Sequence, residues 1–143
     1  MTNQPLPFEI RGHTADLRLY ASGKTKEELF SNMILGMSGI LKSTFVEESE
    51  EELLSRREVT IDSADLAALL VDFLNEVLYL SNTNKEVYRK VDFVAFSDTH
   101  LEAELSGKEV EGFDEDIKAA TYHEVEVKQG KDGFWEATVI LDI

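Results

Sequence analysis

Cysteine is missing from all 143 residues of the chain. Disulfides and thiolate-held metals are therefore excluded. Histidine is scarce too, with three in the chain, which argues against zinc. Positive charge is the next shortage: 14 lysines and arginines face 29 aspartates and glutamates, a formal net charge of −15. Such a chain repels phosphate backbones unless its few cations are clustered, so strong direct nucleic-acid binding is not expected. No apolar run approaches the ~18 residues of a membrane span. The opening "MTNQPLPFEI" has neither the basic region nor the apolar core of a secretion signal. These absences predict a soluble, cytoplasmic protein with no membrane association. A Gly-rich nucleophile elbow and a phosphate-cradling loop are also lacking, which speaks against an enzyme in its own right.

What is present suffices for one core. Hydrophobic residues make up 43% of the chain, and the length fits a single domain over residues 1–143. Residues 7–22 read as extended structure interrupted near Gly12, with Leu17, Leu19 and Ala21 on one side and Asp16, Arg18 and Tyr20 on the other. Thr25, followed three residues later by Glu28, forms a capping-box pattern. The helix it opens carries Leu29, Phe30, Met33, Ile34, Met37, Ile40 and Leu41 at helical spacing. Gly36 and Gly39 weaken that helix and suit close packing. The acidic run "EESEEELL" (47–54) reads as a solvated loop, and 57–61 as a short strand. Asp62 or Ser63 is the expected cap of a second helix, "ADLAALLVDFLNEVLYLS", whose broad apolar stripe makes it central to the core; "NTNK" (82–85) ends it. Segments 87–97, 100–106, 117–128 and 134–143 read as strands separated by Gly107, Gly112, Gly130 and Gly133. The sum is an α+β fold, two helices packed on a mostly antiparallel sheet of six or seven strands.

Two polar clusters interrupt apolar surroundings. The last five residues, "VILDI", carry a strand-like segment to the end of the sequence and put Asp142 beside a terminal Ile143. The last two strands flank "QGKDG", a hairpin loop. Matching their apolar sides pairs Val127 with Trp135, Val125 with Ala137 and His123 with Val139. Asp142 then shares the opposite face with Lys118, Ala120 and Tyr122, and Lys118 lies opposite or diagonal to it. An ordinary cross-strand ion pair accounts for that spacing. The second cluster is "GHTADL", in which His13, Thr14 and Asp16 are all turn-forming residues. His100 takes no role, and His123 reads as a hydrogen-bonded core histidine.

Four stretches in this order, "HTADL" (13–17), "LLVDFLNEVLYL" (69–80), "IKAATYHEVEV" (117–127) and "VILDI" (139–143), resemble the archease family. The chain departs from it in Arg18, where many relatives have glycine, in Phe73, which replaces a common tryptophan, and in a short segment between Leu105 and Lys118. The resemblance implies a helper protein that promotes guanylylation and turnover of the RtcB-type RNA ligase in tRNA splicing and RNA repair. It implies a metal site at Asp16, Asp142 and the C-terminal Ile143, with His13 as a candidate supporting residue, and a functional role for Lys118 in ligase activation. Ca²⁺ is the implied ion. Oxygen ligands of this kind suit hard cations in general, Mg²⁺ and Mn²⁺ included. Delivery of the ion to a partner and a purely structural ion are both compatible with these residues. A general acidic, chaperone-like binding module is the alternative.

Overall fold

A computed structural model describes residues 7–12, 16–44 and 53–143. Thr25 opens the first helix, α1 (Lys26–Leu41), as the capping pattern predicts. Its hydroxyl accepts from the Glu28 N–H at 3.0 Å, and the Glu28 carboxylate accepts from the Lys24 N–H at 2.9 Å. Backbone donors around the first turn are thereby satisfied. The helix buries Leu29, Phe30, Met33, Ile34 and Met37. A Cβ on Gly36 would fall 2.8 Å from Leu19 Cδ1 and 3.0 Å from Phe8 Cγ, so glycine is what lets α1 approach the strands beneath it.

The second helix, α2 (Leu66–Asn84), is capped by Asp65, whose carboxylate accepts from the Ala68 N–H at 2.8 Å. The expected caps are committed elsewhere. Asp62 is still part of a strand and pairs with His100, and Ser63 donates its hydroxyl to Asp72. The helix therefore starts at Leu66, two residues after the expected start at Ala64. Lys85 closes it in the left-handed conformation, φ 53°.

Seven strands lie among the described residues: β1 (Phe8–Gly12), β2 (Asp16–Gly23), β3 (Ser55–Asp62), β4 (Glu86–Phe96), β5 (His100–Glu109), β6 (Ala119–Gln129) and β7 (Trp135–Asp142). The α+β class stands, and the antiparallel strands divide into two sheets, ordered β1-β2-β7-β6 and β3-β5-β4. Each helix packs against strands of both sheets. An aromatic cluster ties these layers together. Phe30 of α1 stacks on Phe73 of α2 with centroids 6.2 Å apart, and meets Phe96 of β4 edge-on at 5.0 Å. Such pairs add to the area they remove from water.

Gly107, read from the sequence as a break, lies inside β5 opposite Tyr88. A Cβ there would sit 2.0 Å from the Val87 carbonyl oxygen, so β4 can cross at this point only over a residue without a side chain. Beside this glycine a partly buried network forms: the half-exposed Arg57 reaches the buried Glu86 with two bonds of 2.9 and 3.0 Å, and Tyr88 donates to Glu86 at 2.7 Å. Burial pushes the Glu86 carboxyl up, but bonds from Arg57 and Tyr88 outweigh it and hold the group below its ordinary range. The acidic run of the sequence falls largely on 45–52, outside the described residues. Among the described residues, no helix is long and apolar enough to cross a membrane.

Candidate functional site

β7 runs between β2 and β6. Alternation turns Leu141 and Leu17 into the core, both members of one register pair. The next pair therefore faces outward, and it is Asp142 opposite Asp16. Directly opposed residues place their Cβ atoms about 4.5–5.5 Å apart. Asp16 is half-buried and Asp142 exposed. The Asp16 Oδ1 atom is buried and, among the described residues, has no hydrogen-bond partner. A desolvated carboxylate oxygen left unpaired is costly, and a cation is one partner that removes the cost. Ile143 is half-buried and packs on the core.

Among the described residues, no three His, Asp or Glu side chains converge as a metal site. Asp16 and Asp142 thus fit a hard cation only with main-chain oxygens and water filling most of a shell of about six to eight oxygens. That donor set is oxygen-only, as Ca²⁺, Mg²⁺ and Mn²⁺ prefer. His13 and Thr14 lie outside the described residues.

The β6–β7 register differs from apolar matching. Near the turn, Gln129 pairs with Trp135 and Val127 with Ala137; at the far end, Thr121 pairs with Ile140 and Ala120 with Leu141. Between the pairs Thr121/Ile140 and Glu126/Thr138, residues 122–125 of β6 face Val139 alone. The bulge swaps the faces of the strand residues before it, so Ala120 turns inward and Ala119 lies opposite Asp142, while ahead of the strand Ile117 stays buried and Lys118 exposed. Its left-handed residue is Glu124, φ 56°, and no glycine marks the place.

Two expectations change with it. Lys118 does not pair with Asp142 through its side chain. It precedes β6, is exposed, and donates its backbone N–H to the Asp142 carbonyl oxygen at 2.7 Å. His123 is no core histidine: it stands on the bulge with 74% of its side chain exposed. His100, given no role, is held on both ring nitrogens, Nδ1 2.7 Å from Asp62 and Nε2 2.8 Å from Glu102. Bonds to Glu102 and Asp62 raise its pKa.

Sequence reasoning missed the residues that fix β6. Asn75 of α2 donates to the Ala120 carbonyl at 3.0 Å and accepts from the Ala120 N–H at 2.8 Å. It satisfies both main-chain groups of an edge-strand residue, where the sheet supplies no partner. Asp72, three residues earlier, accepts from the Tyr122 and Ser63 hydroxyls. The bond to Asp72, then burial, raises the Tyr122 phenol pKa. Two polar residues spaced i, i+3 within the most apolar helix were the available signal. Beside the carboxylates, Arg18 lies two residues from Asp16 on the same face, opposite Ile140. Its Nη1 is 3.6 Å from Glu124 Oε2.

The fold defines a class: small α+β proteins in which, among the described residues, two helices each meet two antiparallel sheets; in this chain Asp16 and Asp142 stand paired where β7 ends. The model of the Archease protein family (MTH1598/TM1083) matches residues 8–143. The chain is 34% identical to protein archease of Methanosarcina barkeri over 151 residues, covering 100% of each. It is 35% identical to protein archease of Methanothermobacter thermautotrophicus over 142 residues, 95% of this chain and 98% of that one. The chain belongs to the archease family. The solution structure of protein 1598 of Methanobacterium thermoautotrophicum superposes with a TM-score of 0.77 at 32% identity, covering 97% of this chain and 100% of that one. The crystal structure of a Thermotoga maritima archease, described as a possible chaperone, shares the fold at TM-score 0.57 and 20% identity, over 100% and 98%.

Proposed function

We propose that this chain is not itself an enzyme but a cytoplasmic activator of an RtcB-type RNA ligase, promoting guanylylation and repeated turnover of that partner in tRNA splicing and RNA repair. The observation that carries the site is the direct opposition of Asp16 and Asp142, with Asp16 Oδ1 buried and unpaired among the described residues. In this reading Asp16, Asp142 and main-chain oxygens of Ile143 hold a hard divalent cation, Ca²⁺ first, with Mg²⁺ or Mn²⁺ as substitutes. When bound, the ion supplies concentrated positive charge on an otherwise acidic surface. The chain's own residues do the rest. The β2–β7 register holds the two carboxylates side by side, and Asn75 fixes the adjoining edge strand. Lys118, exposed one residue beyond that strand, is free to meet the partner. A net charge of −15 keeps the protein itself off RNA, so its action runs through protein contact.

The test has two parts. Added Ca²⁺ should stabilise the wild type by RT ln(1 + [L]/Kd), about 2.7 kcal/mol at a hundredfold excess over Kd, and leave Asp16→Ala and Asp142→Ala unchanged. Substoichiometric protein should accelerate ligase guanylylation, and neither variant should. Lys118→Ala should fold normally and activate less.

One observation favours a second reading, the acidic chaperone-like module. Glu58, Glu104 and Asp92 stand in one register row across β3, β5 and β4 on an exposed sheet face. A module of that kind would suppress aggregation of unrelated basic clients with Asp142→Ala as effective as wild type.

A further inference from the structure

Arg18 shares the outer face of β2 with Asp16 and lies diagonal to Asp142, because its own partner on β7 is Ile140. Diagonal and i, i+2 neighbours on one face stand roughly 6–8 Å apart at Cβ, within reach of a long side chain. Yet the guanidinium pairs with neither aspartate. It sits 3.6 Å from Glu124, with 38% of its side chain exposed and 60% of that of Glu124. Glu124 belongs to β6, two strands away from β2, and reaches Arg18 from the bulge where its own backbone is left-handed, φ 56°. A residue with a side chain adopts that conformation only at a cost. Two residues from Arg18 lies a buried carboxylate oxygen, Asp16 Oδ1, without a partner among the described residues.

We infer that Arg18 is the resident counter-charge of the Asp16–Asp142 pair, and that Glu124 holds it aside when a divalent cation takes the pair. This rests on the reading of Asp16 and Asp142 as cation ligands. Arg18 can swing between two acceptors on one face: toward the aspartates, where it relieves their repulsion, or toward Glu124, where it stands in this structure and leaves both carboxylates without its charge. Because one cation competes with the other, Arg18 sets the affinity of the site, and Glu124 acts on that affinity through Arg18.

Calorimetric titration with Ca²⁺ alone at low salt tests this on the intact chain. A unit charge about 7 Å from a divalent ion in a water-like medium changes affinity roughly three- to eightfold, depending on screening. Arg18→Gln should therefore bind Ca²⁺ tighter than wild type by that factor, and Glu124→Gln should bind it more weakly. In the Arg18→Gln background, Glu124→Gln should have almost no further effect. Equal affinity in Arg18→Gln and wild type would overturn the inference. So would a Glu124→Gln loss of the same size in both backgrounds, which is the behaviour of an ordinary surface ion pair. A metal-free readout separates this from the site itself. In EDTA, Arg18→Gln should lower the Tm when Asp142 is present and much less in Asp142→Asn. If the wild type takes up no Ca²⁺, the cation reading falls. The melting cycle then decides Arg18 alone: coupling to Asp142 retains the counter-charge, and its absence rejects it.

Discussion

Replacing Asn75 with alanine removes the one side chain that satisfies both main-chain groups of Ala120. Ala120 is 3% exposed, and the two bonds measure 3.0 and 2.8 Å. Each buried polar group left without a partner costs about 1–3 kcal/mol. β6 is an edge strand, so water regains part of the loss. The net expectation is about 2–3 kcal/mol, which for a chain of this size lowers Tm by about 6–12 °C. Asn75→Asp keeps the acceptor and loses the donor, and should fall between. Thermal denaturation gives the size of the effect, and hydrogen exchange at the Ala120 amide gives its place. If Asn75 clamps the strand, exchange rises there and at Lys118, whose N–H holds the Asp142 carbonyl. A Tm loss under about 2 °C with unchanged protection at Ala120 would refute the reasoning, because the two bonds would then carry no net stability.

Gly107→Ala should prevent normal folding or cost more than about 3 kcal/mol, since its Cβ would fall 2.0 Å from the Val87 carbonyl oxygen and backbone must move; a urea melt close to wild type would contradict the packing described. His100 has a raised pKa in the folded protein, so its clamp contributes fully below the unfolded value of about 6.5 and is lost as pH rises through the folded value; the Tm gap between wild type and His100→Gln should be wide at low pH and close at high pH. The purified protein should bind tRNA weakly at physiological salt and hydrolyse no GTP; sub-micromolar affinity with a steep salt slope, or turnover lost in Asp142→Ala, would overturn the helper reading.

The helices were legible because their apolar residues repeat at helical spacing and Thr25 with Glu28 announces a start. The cap of α2 was not. Asp62 and Ser63 were the expected caps, but tertiary partners engage both, and Asp65, which sequence reasoning did not single out, is the residue that caps. The strands were legible by alternation, but their division into two sheets was not, since pairing is a long-range property. The β6 bulge was illegible for a specific reason: its left-handed residue is Glu124 rather than glycine, and a period-two pattern carries no record of three extra residues. That one irregularity moved Ala119 and Ala120 by one face and His123 out of the core. Gly107 shows the opposite error. A glycine read as a break serves instead as the gap over which β4 packs. Asp16 and Asp142 were singled out by resemblance, and only the register of β2 against β7 puts them side by side.

Guanylylation of an RtcB-type ligase, followed with a trace amount of this protein in the presence of Ca²⁺, tests the central claim most directly. Wild type should accelerate it over many ligase turnovers, while Asp142→Ala, folded and equally stable without metal, should leave the ligase at its unassisted rate. Full, metal-dependent acceleration by Asp142→Ala would contradict the account.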